Sequence, residues 1–260
     1  MLPKPGHLGP EYGAQFDDAS VVEAYQYRPL YPAEVFAILS ELITAEPRTV
    51  LDAGCGTGYV ARYLTDYVDR VDAVDISARM IAKGQALPGG DHPRLRWLHG
   101  AMETVELAQP YALITAGASL HWMAWDVVFG RFRQLLVPGG FLAIIVDGIL
   151  PAAWDAALSG IIAPYSTNRE YQPYDVIEEV TQRSLFEKHG EKLTEPVLFE
   201  QSIDAYVESF HARNGFSRDR MTQEAAAEFD ERVKRLVATY CPDGVVQLQV
   251  VGEVTWGIPL

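Results

Sequence analysis

The sequence predicts an α/β fold in which a doubly wound, mainly parallel sheet carries helices on both faces. Short apolar runs alternate with helical patterns from about residue 48 to residue 147, and the first of these runs ends in a glycine-rich turn. Strands that alternate with helices form a parallel sheet that is covered on both sides. Residues 245–256 instead alternate apolar with polar side chains, which indicates an antiparallel strand near one edge.

The elements follow from local patterns in chain order. The apolar runs predict strands at 48–53, 71–75, 95–99, 111–116 and 141–146. Helical spacing predicts helices at 59–67 and 122–136, a helix capped by Ser77 and another capped by Thr222. Pro138-Gly139-Gly140 ends the helix at 122–136, in which Trp122 and Trp125 have the spacing of a face turned to the core, so neither is assigned to a ligand.

The chain is predicted to be a single domain, 1–260, in four parts. Residues 1–47 form an N-terminal lid and helix, and residues 48–147 form the ligand-binding core of the sheet. Residues 148–194 show no clear strand pattern and are expected to be a cap inserted above the sheet. Residues 195–260 supply the last strands and the last helix.

Composition excludes several classes of protein. The 260 residues carry a net charge of −14 without any block of basic residues, which argues against nucleic acid or an anionic membrane as a partner. Two cysteines make no disulfide framework, and no Cys/His spacing suits zinc, so no metal is expected. The start lacks an apolar signal core, and the apolar stretch 141–150 is too short to cross a bilayer. We expect a soluble, cytoplasmic protein.

The glycine-rich turn predicts a ligand that contains a nucleoside. Gly54, Gly56 and Gly58 follow a predicted strand and precede a helix, where backbone amides can approach a ligand. A dinucleotide fingerprint requires glycine at the position of Tyr59, which gives a nicotinamide oxidoreductase low weight. Asp75, at the end of the second strand, can accept hydrogen bonds from both ribose hydroxyls.

Together with Asp52 and Asp75, the glycine-rich turn and Pro138-Gly139-Gly140 resemble the class I S-adenosylmethionine-dependent methyltransferases. Ser119-Leu120-His121-Trp122 and Tyr27-Arg28-Pro29 are similar to their small-molecule, type 11 branch, which includes trans-aconitate methyltransferase. The resemblance covers about residues 25–146. It implies a Rossmann-like sheet of seven strands with one antiparallel edge strand, and S-adenosylmethionine as the cofactor, with S-adenosylhomocysteine as its product.

The resemblance also implies the residues that hold the cofactor. These are Asp52, Gly54, Gly56, Asp75, Ile76, Met80, Ala101, Met102 and Ala116. One departure concerns the adenine amino group, which the family usually meets with an acidic residue after the third strand. Here the run is Gly100-Ala101-Met102-Glu103, so Glu103 or a water is left to take that polar edge.

Catalytic and substrate-binding candidates lie outside the glycine-rich turn. His121 directly follows the fourth strand and is the candidate general base, with packing beneath Trp122 as the alternative. The candidates for substrate contact are Tyr25, Tyr27, Arg28, His121, His211 and Arg213. The alternative for the three lid residues is that they anchor the lid to the sheet. For His211, with Arg213 as a possible clamp for a carboxylate, the sequence favours an exposed polar turn over substrate contact.

The sequence therefore predicts a methyltransferase that acts on a small-molecule acceptor, most simply on an oxygen of a carboxylate or a hydroxyl. Methyl transfer from a sulfonium requires alignment and exclusion of water, and at most one general base. The alternatives are C- or N-methylation of a natural-product intermediate, and a non-catalytic module that binds the cofactor. The protein is expected to be a monomer or a homodimer.

Overall fold

A computed structural model describes residues 4–108 and 110–260 of the chain. Its sheet is built from strands along the whole chain. They are β1 (Thr49–Ala53), β2 (Arg70–Asp75), β3 (Leu95–His99), β4 (Tyr111–Gly117), β5 (Leu136–Ile149), β6 (Phe186–Leu193), β7 (Val197–Ser202) and β8 (Val245–Pro259).

The strand order is β3-β2-β1-β4-β5-β8-β6, with β7 also paired to β8. β1 to β5 are mutually parallel, and β8 is antiparallel to β5. β6 pairs with residues 253–259 of β8 and β7 with residues 245–250, so the two short strands occupy successive lengths of one edge. The sheet is thus seven positions wide. The predicted mainly parallel sheet is confirmed, and its antiparallel strand lies at this side, covered on its outer flank by β6 and β7.

Helices flank the sheet on both faces. They are α1 (Pro10–Gly13), α2 (Ala19–Ala24), α3 (Ala33–Leu42), α4 (Tyr59–Leu64), α5 (Ala78–Gln85), α6 (Trp125–Leu135), α7 (Asp155–Tyr165), α8 (Val176–Gln182), α9 (Ile203–His211) and α10 (Gln223–Ala238). Short 3₁₀ turns lie at Ala14–Asp17, Tyr25–Tyr27 and Leu120–Trp122. The predicted caps are present, since the hydroxyl of Ser77 accepts a hydrogen bond from the Met80 amide at 3.1 Å, and Thr222 does the same for Ala225 at 3.2 Å.

The expected cap insertion differs from the prediction. Residues 148–194 contain α7 and α8 but also the strand β6, which completes the edge of the sheet. Mostly polar residues, Glu-Lys-His-Gly-Glu-Lys, fill β6 because most of its side chains are exposed, so the apolar pattern that marks a buried strand is absent. The helix α9, which was not predicted, packs with α7 and α10 over the first half of β8.

Two apolar layers hold the sheet and expose its carboxyl-terminal end. α3 and α4 pack on one face around Phe36 and Leu64, whereas α6 and α8 pack on the other around Phe129 and Phe132. Burying such side chains is the main favourable term in folding, about 1.5–3 kcal/mol for each one. The first part of the chain crosses the top of the sheet, where Val21 and Val22 pack against Met80.

Polar contacts also fix the N-terminal lid to the segment between α9 and α10. The carboxylate of Asp18 accepts hydrogen bonds from the guanidinium of Arg220 at 2.6 and 3.1 Å, and another from the hydroxyl of Ser217 at 2.6 Å. The Ser20 amide donates to Asp219 at 3.1 Å. The N-terminal segment is therefore tied to the segment after α9, and both lie above the strand ends. Among residues 4–108 and 110–260, no helix combines the length and apolar character needed to span a membrane.

Candidate functional site

A cavity of about 330 Å³ opens at the carboxyl ends of β1, β2, β3 and β4. In a sheet of this topology, this end is where ligands bind. The N-terminal lid covers it with Gly13, Ala14, Phe16, Tyr25 and Arg28. The sheet side contributes Gly54, Gly56, Val74, Asp75, Ile76, Met80, Gly100, Ala101, Met102, Glu103, Gly117, Ala118, Ser119, Trp122 and Met123.

The glycine-rich turn brings the backbone against this cavity. Gly54 has φ +70°, in the left-handed region that favours glycine, and a Cβ atom there would lie 2.5 Å from the Cβ of Ser119. Gly56 also has a positive φ, +55°. A side chain at Gly54 would therefore collide with the loop after β4, which explains why the residue that follows Ala53 has none.

Asp75 lies at the end of β2 with its carboxylate at the cavity wall. Its Oδ2 accepts a hydrogen bond from the Gly56 amide at 2.7 Å, and its Oδ1 accepts one from the Ser77 amide at 2.7 Å. Burial raises the pKa of Asp75, and these two backbone bonds oppose the rise. Each oxygen retains a lone pair, so the carboxylate has the geometry to accept further hydrogen bonds from two neighbouring hydroxyls.

An apolar surface continues the cavity beyond Asp75. Met80 and Met102 are buried there, whereas Ile76 presents 63% of its surface. Phe16 comes from the lid and lies 5.8 Å from Trp122, ring centre to ring centre. Flexible sulfur-containing side chains and flat aromatic side chains pack well against a planar base. The cavity therefore combines a polar backbone turn, a carboxylate and an apolar end, which fits a nucleoside-containing ligand.

A second cavity, of about 310 Å³, lies beside the first and shares Ala118 and Ser119 with it. It is lined by the ends of β4 and β5, the turn at Leu120–Trp122 and the start of α8. Its polar groups are Ser119, His121, Asp147, Tyr174, Asp175 and Glu253. Ala118 has φ +48°, an uncommon conformation for a residue other than glycine, exactly where the two cavities meet.

His121 faces the second cavity. Burial, reinforced by the positive charge of Lys4, lowers the pKa of His121 to about 3. The ring lies 4.5 Å from Trp122 and 5.7 Å from Tyr174, measured between ring centres. At neutral pH the imidazole is therefore uncharged and can accept a hydrogen bond on one nitrogen. The prediction that His121 lies at the ligand-carrying end of the sheet agrees with this position.

Arg28 and Asp147 join the two cavities. Arg28 lines the first and Asp147 the second, and the guanidinium donates to Asp147 Oδ2 at 3.1 Å. Burial opposes ionisation of Asp147, but the charge of Arg28 and this hydrogen bond hold its pKa below the ordinary value. The guanidinium carbon of Arg28 also lies over the Tyr25 ring, 5.4 Å from the ring centre. The predicted lid residues Tyr25 and Arg28 thus lie at the site.

Asp52, which the sequence predicts to hold the cofactor, does not line the first cavity. Only 2% of it is exposed, and its carboxylate accepts hydrogen bonds from the Thr115 hydroxyl at 2.8 Å and the Ala61 amide at 3.1 Å. It therefore links β1 to β4 and to the first turn of α4. Burial raises the pKa of Asp52 to about 7, and the two hydrogen bonds oppose that rise. Its contacts are structural.

Two further predicted residues lie elsewhere. Ala116, expected to touch the cofactor, is fully buried and belongs to the wall of the second cavity. Tyr27 is half-buried in the lid and lines neither cavity. Successive side chains of β4 point to opposite faces of the sheet, so Ala116 and Gly117 border different cavities.

His211 and Arg213 do not form the predicted exposed turn. His211 is the last residue of α9 and fully buried, where its Nδ1 lies 2.8 Å from the Phe216 carbonyl oxygen and its Nε2 lies 2.7 Å from Asp230 Oδ1. Those bonds fix the turn after α9 to α10. Arg213 is half-buried against Phe210, and burial, together with the charge of Arg28, lowers its pKa. Neither residue lines the two cavities.

Sequence patterns missed several lining residues. Trp122, assigned only to packing, borders the first cavity, because the helix α6 begins later than predicted and leaves Trp122 in the preceding turn. Gly13, Ala14 and Phe16 carry no motif that marks them as ligand contacts. Within the described part of the chain, no group of three or more His, Cys, Asp or Glu is placed to hold a metal ion.

Comparisons with known proteins agree with this geometry. Residues 50–140 match the methyltransferase-domain family. A trans-aconitate 2-methyltransferase of Streptomyces avermitilis is 33% identical over 121 residues, which are 45% of each chain. A malonyl-[acyl-carrier protein] O-methyltransferase of Anoxybacillus flavithermus is 38% identical over 87 residues, 33% of each chain. An uncharacterized methyltransferase of Mycobacterium tuberculosis is 32% identical over 111 residues, which are 42% of this chain and 55% of that protein. The chain therefore spans about half the length of this relative.

Solved structures support the fold over nearly the whole chain. A protein of Anaeromyxobacter dehalogenans described as a type II methyltransferase aligns with a TM-score of 0.65 at 21% identity, over 90% of this chain and 99% of its own. An S-adenosylmethionine-dependent methyltransferase of Geobacter sulfurreducens, solved with S-adenosylhomocysteine, aligns at 0.51 and 16% identity, over 88% and 92%. Residues 50–140 therefore match a methyltransferase domain, and the chain has the fold of these solved structures.

Proposed function

We propose that this protein transfers the methyl group of S-adenosylmethionine to an oxygen atom of a small-molecule acceptor that binds in the second cavity. One observation carries the proposal: the cofactor cavity and the cavity that contains His121 meet at Ala118 and Ser119. A donor and an acceptor that occupy adjoining cavities can be aligned for direct displacement, and such alignment is the main source of catalysis in this reaction.

The cofactor supplies a methyl group activated by the positive sulfonium, and this chain supplies its position. The residues proposed to hold it are Gly54, Gly56, Asp75, Ile76, Met80, Ala101 and Met102, all of which line the first cavity. Asp75 accepts hydrogen bonds from the ribose hydroxyls, and the turn at Gly54 leaves room for the amino-acid portion. Asp52 and Ala116 are left out of this set, since neither borders the cavity.

His121 is proposed to accept the proton when the acceptor is a hydroxyl. Its pKa of about 3 keeps the imidazole neutral, and therefore able to accept, throughout the physiological range. So weak a base does not ionise a free alcohol. An oxygen that is gaining a methyl group becomes strongly acidic, however, and a neutral imidazole beside it suffices to take the proton as the bond forms. For a carboxylate acceptor no proton is removed, and His121 only orients the oxygen.

The name of one relative, a malonyl-[acyl-carrier protein] O-methyltransferase, supports an oxygen acceptor, and the name of another, trans-aconitate 2-methyltransferase, supports a small acceptor that carries carboxylates. Their alignments cover only 33% and 45% of this chain, so the proposed acceptor rests on the cavity. Methylation of carbon or nitrogen, and a non-catalytic cofactor-binding module, are the competing functions.

Calorimetry and a turnover assay test the proposal in two steps. We expect S-adenosylhomocysteine to bind with a stoichiometry of one per chain, and NAD not to bind. S-adenosylmethionine should then be converted to S-adenosylhomocysteine in the presence of members of a panel of small alcohols, carboxylic acids and amines. Selective binding of NAD overturns the cofactor assignment, turnover with amines alone overturns the oxygen acceptor, and binding without turnover on the panel or in a metabolite extract supports the module.

A further inference from the structure

The second cavity offers few side chains that can donate a hydrogen bond to a ligand. Three of its polar side chains are carboxylates, which only accept hydrogen bonds when they are ionised: Asp147, Asp175 and Glu253. The hydroxyl of Ser119 already donates to the Ala53 carbonyl at 2.6 Å. Among the side chains that line this cavity, His121 and Tyr174 are therefore the ones left to contact an oxygen of a ligand as donors.

Tyr174 precedes α8 and has a fixed ring and a free hydroxyl. The ring packs against the apolar layer under α6 and α8, and its centre lies 5.7 Å from that of His121 and 5.3 Å from that of His7, which is itself buried. In the part of the chain that the structure describes, residues 4–108 and 110–260, no group is hydrogen-bonded to the Tyr174 hydroxyl. A fixed ring presents its hydroxyl to a ligand at little further cost in side-chain entropy.

The hydroxyl of Tyr174 remains a donor at neutral pH. Burial, together with interactions with Tyr171 and Asp147, raises the pKa of Tyr174 above its ordinary value of 10. The imidazole of His121 is neutral at this pH and can accept a hydrogen bond on one nitrogen. Because the two rings are neighbours, a donor and an acceptor of hydrogen bonds can reach adjacent atoms of one ligand.

The charges in the second cavity disfavour a ligand with a further negative charge. The guanidinium of Arg28 is engaged with Asp147 at 3.1 Å. Asp175 accepts hydrogen bonds on Oδ1 from two amides of α8, at 2.8 and 3.0 Å, and Glu253 accepts only a long one, 3.5 Å, from the Thr255 hydroxyl, as far as the described residues show. A carboxylate ligand would be repelled by these acids, whereas an uncharged hydroxyl compound would not.

We propose that Tyr174 determines acceptor specificity by donating a hydrogen bond to an uncharged oxygen beside the hydroxyl that is methylated. The acceptor is then a neutral alcohol with a neighbouring carbonyl or ether oxygen. Its hydroxyl faces His121, and its second oxygen faces Tyr174. The inference rests on the proposed function, in which the second cavity receives the acceptor. The alternative role for Tyr174 is to pack against His7 and His121 without contact to the acceptor.

The test uses three probes that carry a phenyl ring on a chain of two carbons: α-hydroxyacetophenone, 2-phenylethanol and phenylacetate. Apolar side chains of the cavity, such as Leu120, Ile144 and Val176, suit the ring. The first probe has a carbonyl beside its hydroxyl, the second lacks this carbonyl, and the third is a carboxylate. Calorimetry measures their dissociation constants with the protein saturated with S-adenosylhomocysteine. We expect the wild type to bind α-hydroxyacetophenone about threefold to tenfold more tightly than 2-phenylethanol, as one hydrogen bond predicts, and phenylacetate most weakly.

Tyr174→Phe removes the hydroxyl and keeps the ring. Binding of α-hydroxyacetophenone should weaken about threefold to tenfold, and binding of 2-phenylethanol should stay within about twofold. Tyr171→Phe is the matched control, because Tyr171 belongs to the same segment and also contacts His7, at 5.8 Å between ring centres, but is 61% exposed and lines neither cavity. It should leave the three affinities unchanged.

Each other outcome contradicts a different step. Equal affinities of the two alcohols in the wild type, or equal weakening of both in Tyr174→Phe, overturn the inference and leave the proposed function in place. Phenylacetate as the tightest ligand also overturns it, since the acceptor is then a carboxylate. Absence of binding by all three probes refutes the assignment of the second cavity to the acceptor, and with it both the proposed function and the inference.

Discussion

Arg28 and Asp147 form an ion pair of 3.1 Å between the lid and the end of β5, and each lines a different cavity. The exposed fractions of the two side chains are 23% and 35%, so the pair is partly shielded from water. Arg28 follows the last 3₁₀ turn of the lid, whereas Asp147 belongs to the sheet. The ion pair therefore links the lid to the wall of the second cavity.

Asp147→Asn is expected to destabilise the protein by about 1–3 kcal/mol at neutral pH, below the cost of breaking a fully buried pair because Asp147 is partly exposed. The folded-state pKa of Asp147 is lowered, so the stability it contributes is present above its unfolded value of 3.8 and is lost as pH falls through the folded value. Urea unfolding should show the difference from wild type shrinking as the pH is lowered below 4.

Arg28→Gln, Asp147→Asn and the variant that carries both substitutions form a double-mutant cycle. If the two residues act through their mutual contact, the double variant should be less destabilised than the sum of the single variants. Strict additivity would show that the contact contributes nothing to stability and that Asp147 acts through other neighbours.

Asp75→Asn is expected to weaken binding of S-adenosylhomocysteine by more than tenfold. The substitution replaces one acceptor oxygen by a donor, facing either the Gly56 amide or a ribose hydroxyl, so one hydrogen bond is lost and a donor is left unsatisfied. Calorimetry measures the effect. Asp66→Asn, an exposed acid after α4, should bind as wild type does. An unchanged dissociation constant in Asp75→Asn contradicts the ribose assignment.

Local patterns were sufficient for the strands and the glycine-rich turn on the sheet side of the first cavity, but not for its lid residues. β1 and β4 are short, mainly apolar runs, and the glycine-rich turn has a conformation that favours glycine, so both could be predicted from the sequence. The face to which a side chain points was harder to infer. Asp52 lies two residues after Val50 in β1 and so shares the face that α4 covers, which is why its carboxylate turns away from the cavity.

Contacts between distant segments of the chain could not be predicted from the sequence. His211 is buried because α10 supplies Asp230, 19 residues further along the chain, and no local pattern specifies that pairing. β6 was missed because its side chains are largely polar on an exposed edge, although its position is fixed by pairing with β8. The second cavity depends on β4, β5 and α8 together, so its size and polarity appear only when the chain is folded.

Asp52→Asn is expected to leave the affinity for S-adenosylhomocysteine within about threefold of wild type, since Asp52 does not line the first cavity. An asparagine oxygen can still accept from Ala61, and its nitrogen can donate to Thr115 Oγ1. Calorimetry measures this affinity. A loss of tenfold or more restores the predicted role of Asp52 as a cofactor ligand.

The same variant should alter how stability depends on pH. The folded-state pKa of Asp52 is raised from 3.8 to about 7, so the folded state binds more protons than the unfolded state between these values. Its contribution to stability is therefore complete below pH 4 and is lost as pH rises to 7, by up to about 4 kcal/mol at 1.36 kcal/mol per pKa unit. Asn cannot ionise. In urea unfolding, the free energy of unfolding of Asp52→Asn should fall less between pH 4 and pH 7 than that of the wild type. The same pH dependence in both proteins would contradict the raised pKa of Asp52.

His121→Ala tests the proposed proton acceptor. With a hydroxyl acceptor, kcat should fall about 10²- to 10⁴-fold, the usual contribution of a positioned general base. Binding of S-adenosylhomocysteine should stay within about twofold, because His121 does not line the cofactor cavity. With a carboxylate acceptor, which loses no proton, kcat should fall less than tenfold. His92→Ala, in the exposed turn before β3, is the control that should change neither quantity.

The pH profile gives a second measure of the same residue. Because burial lowers the pKa of His121 to about 3, the imidazole remains neutral from pH 5 to pH 8, and its protonation should not reduce kcat in this interval. A histidine of ordinary pKa, by contrast, becomes protonated near pH 6.5, and an enzyme that uses it as a base loses activity below that pH. A wild-type profile that declines with a midpoint between pH 6 and 7, and a flat profile for His121→Ala, would show that the bound acceptor draws the pKa of His121 back toward its ordinary value.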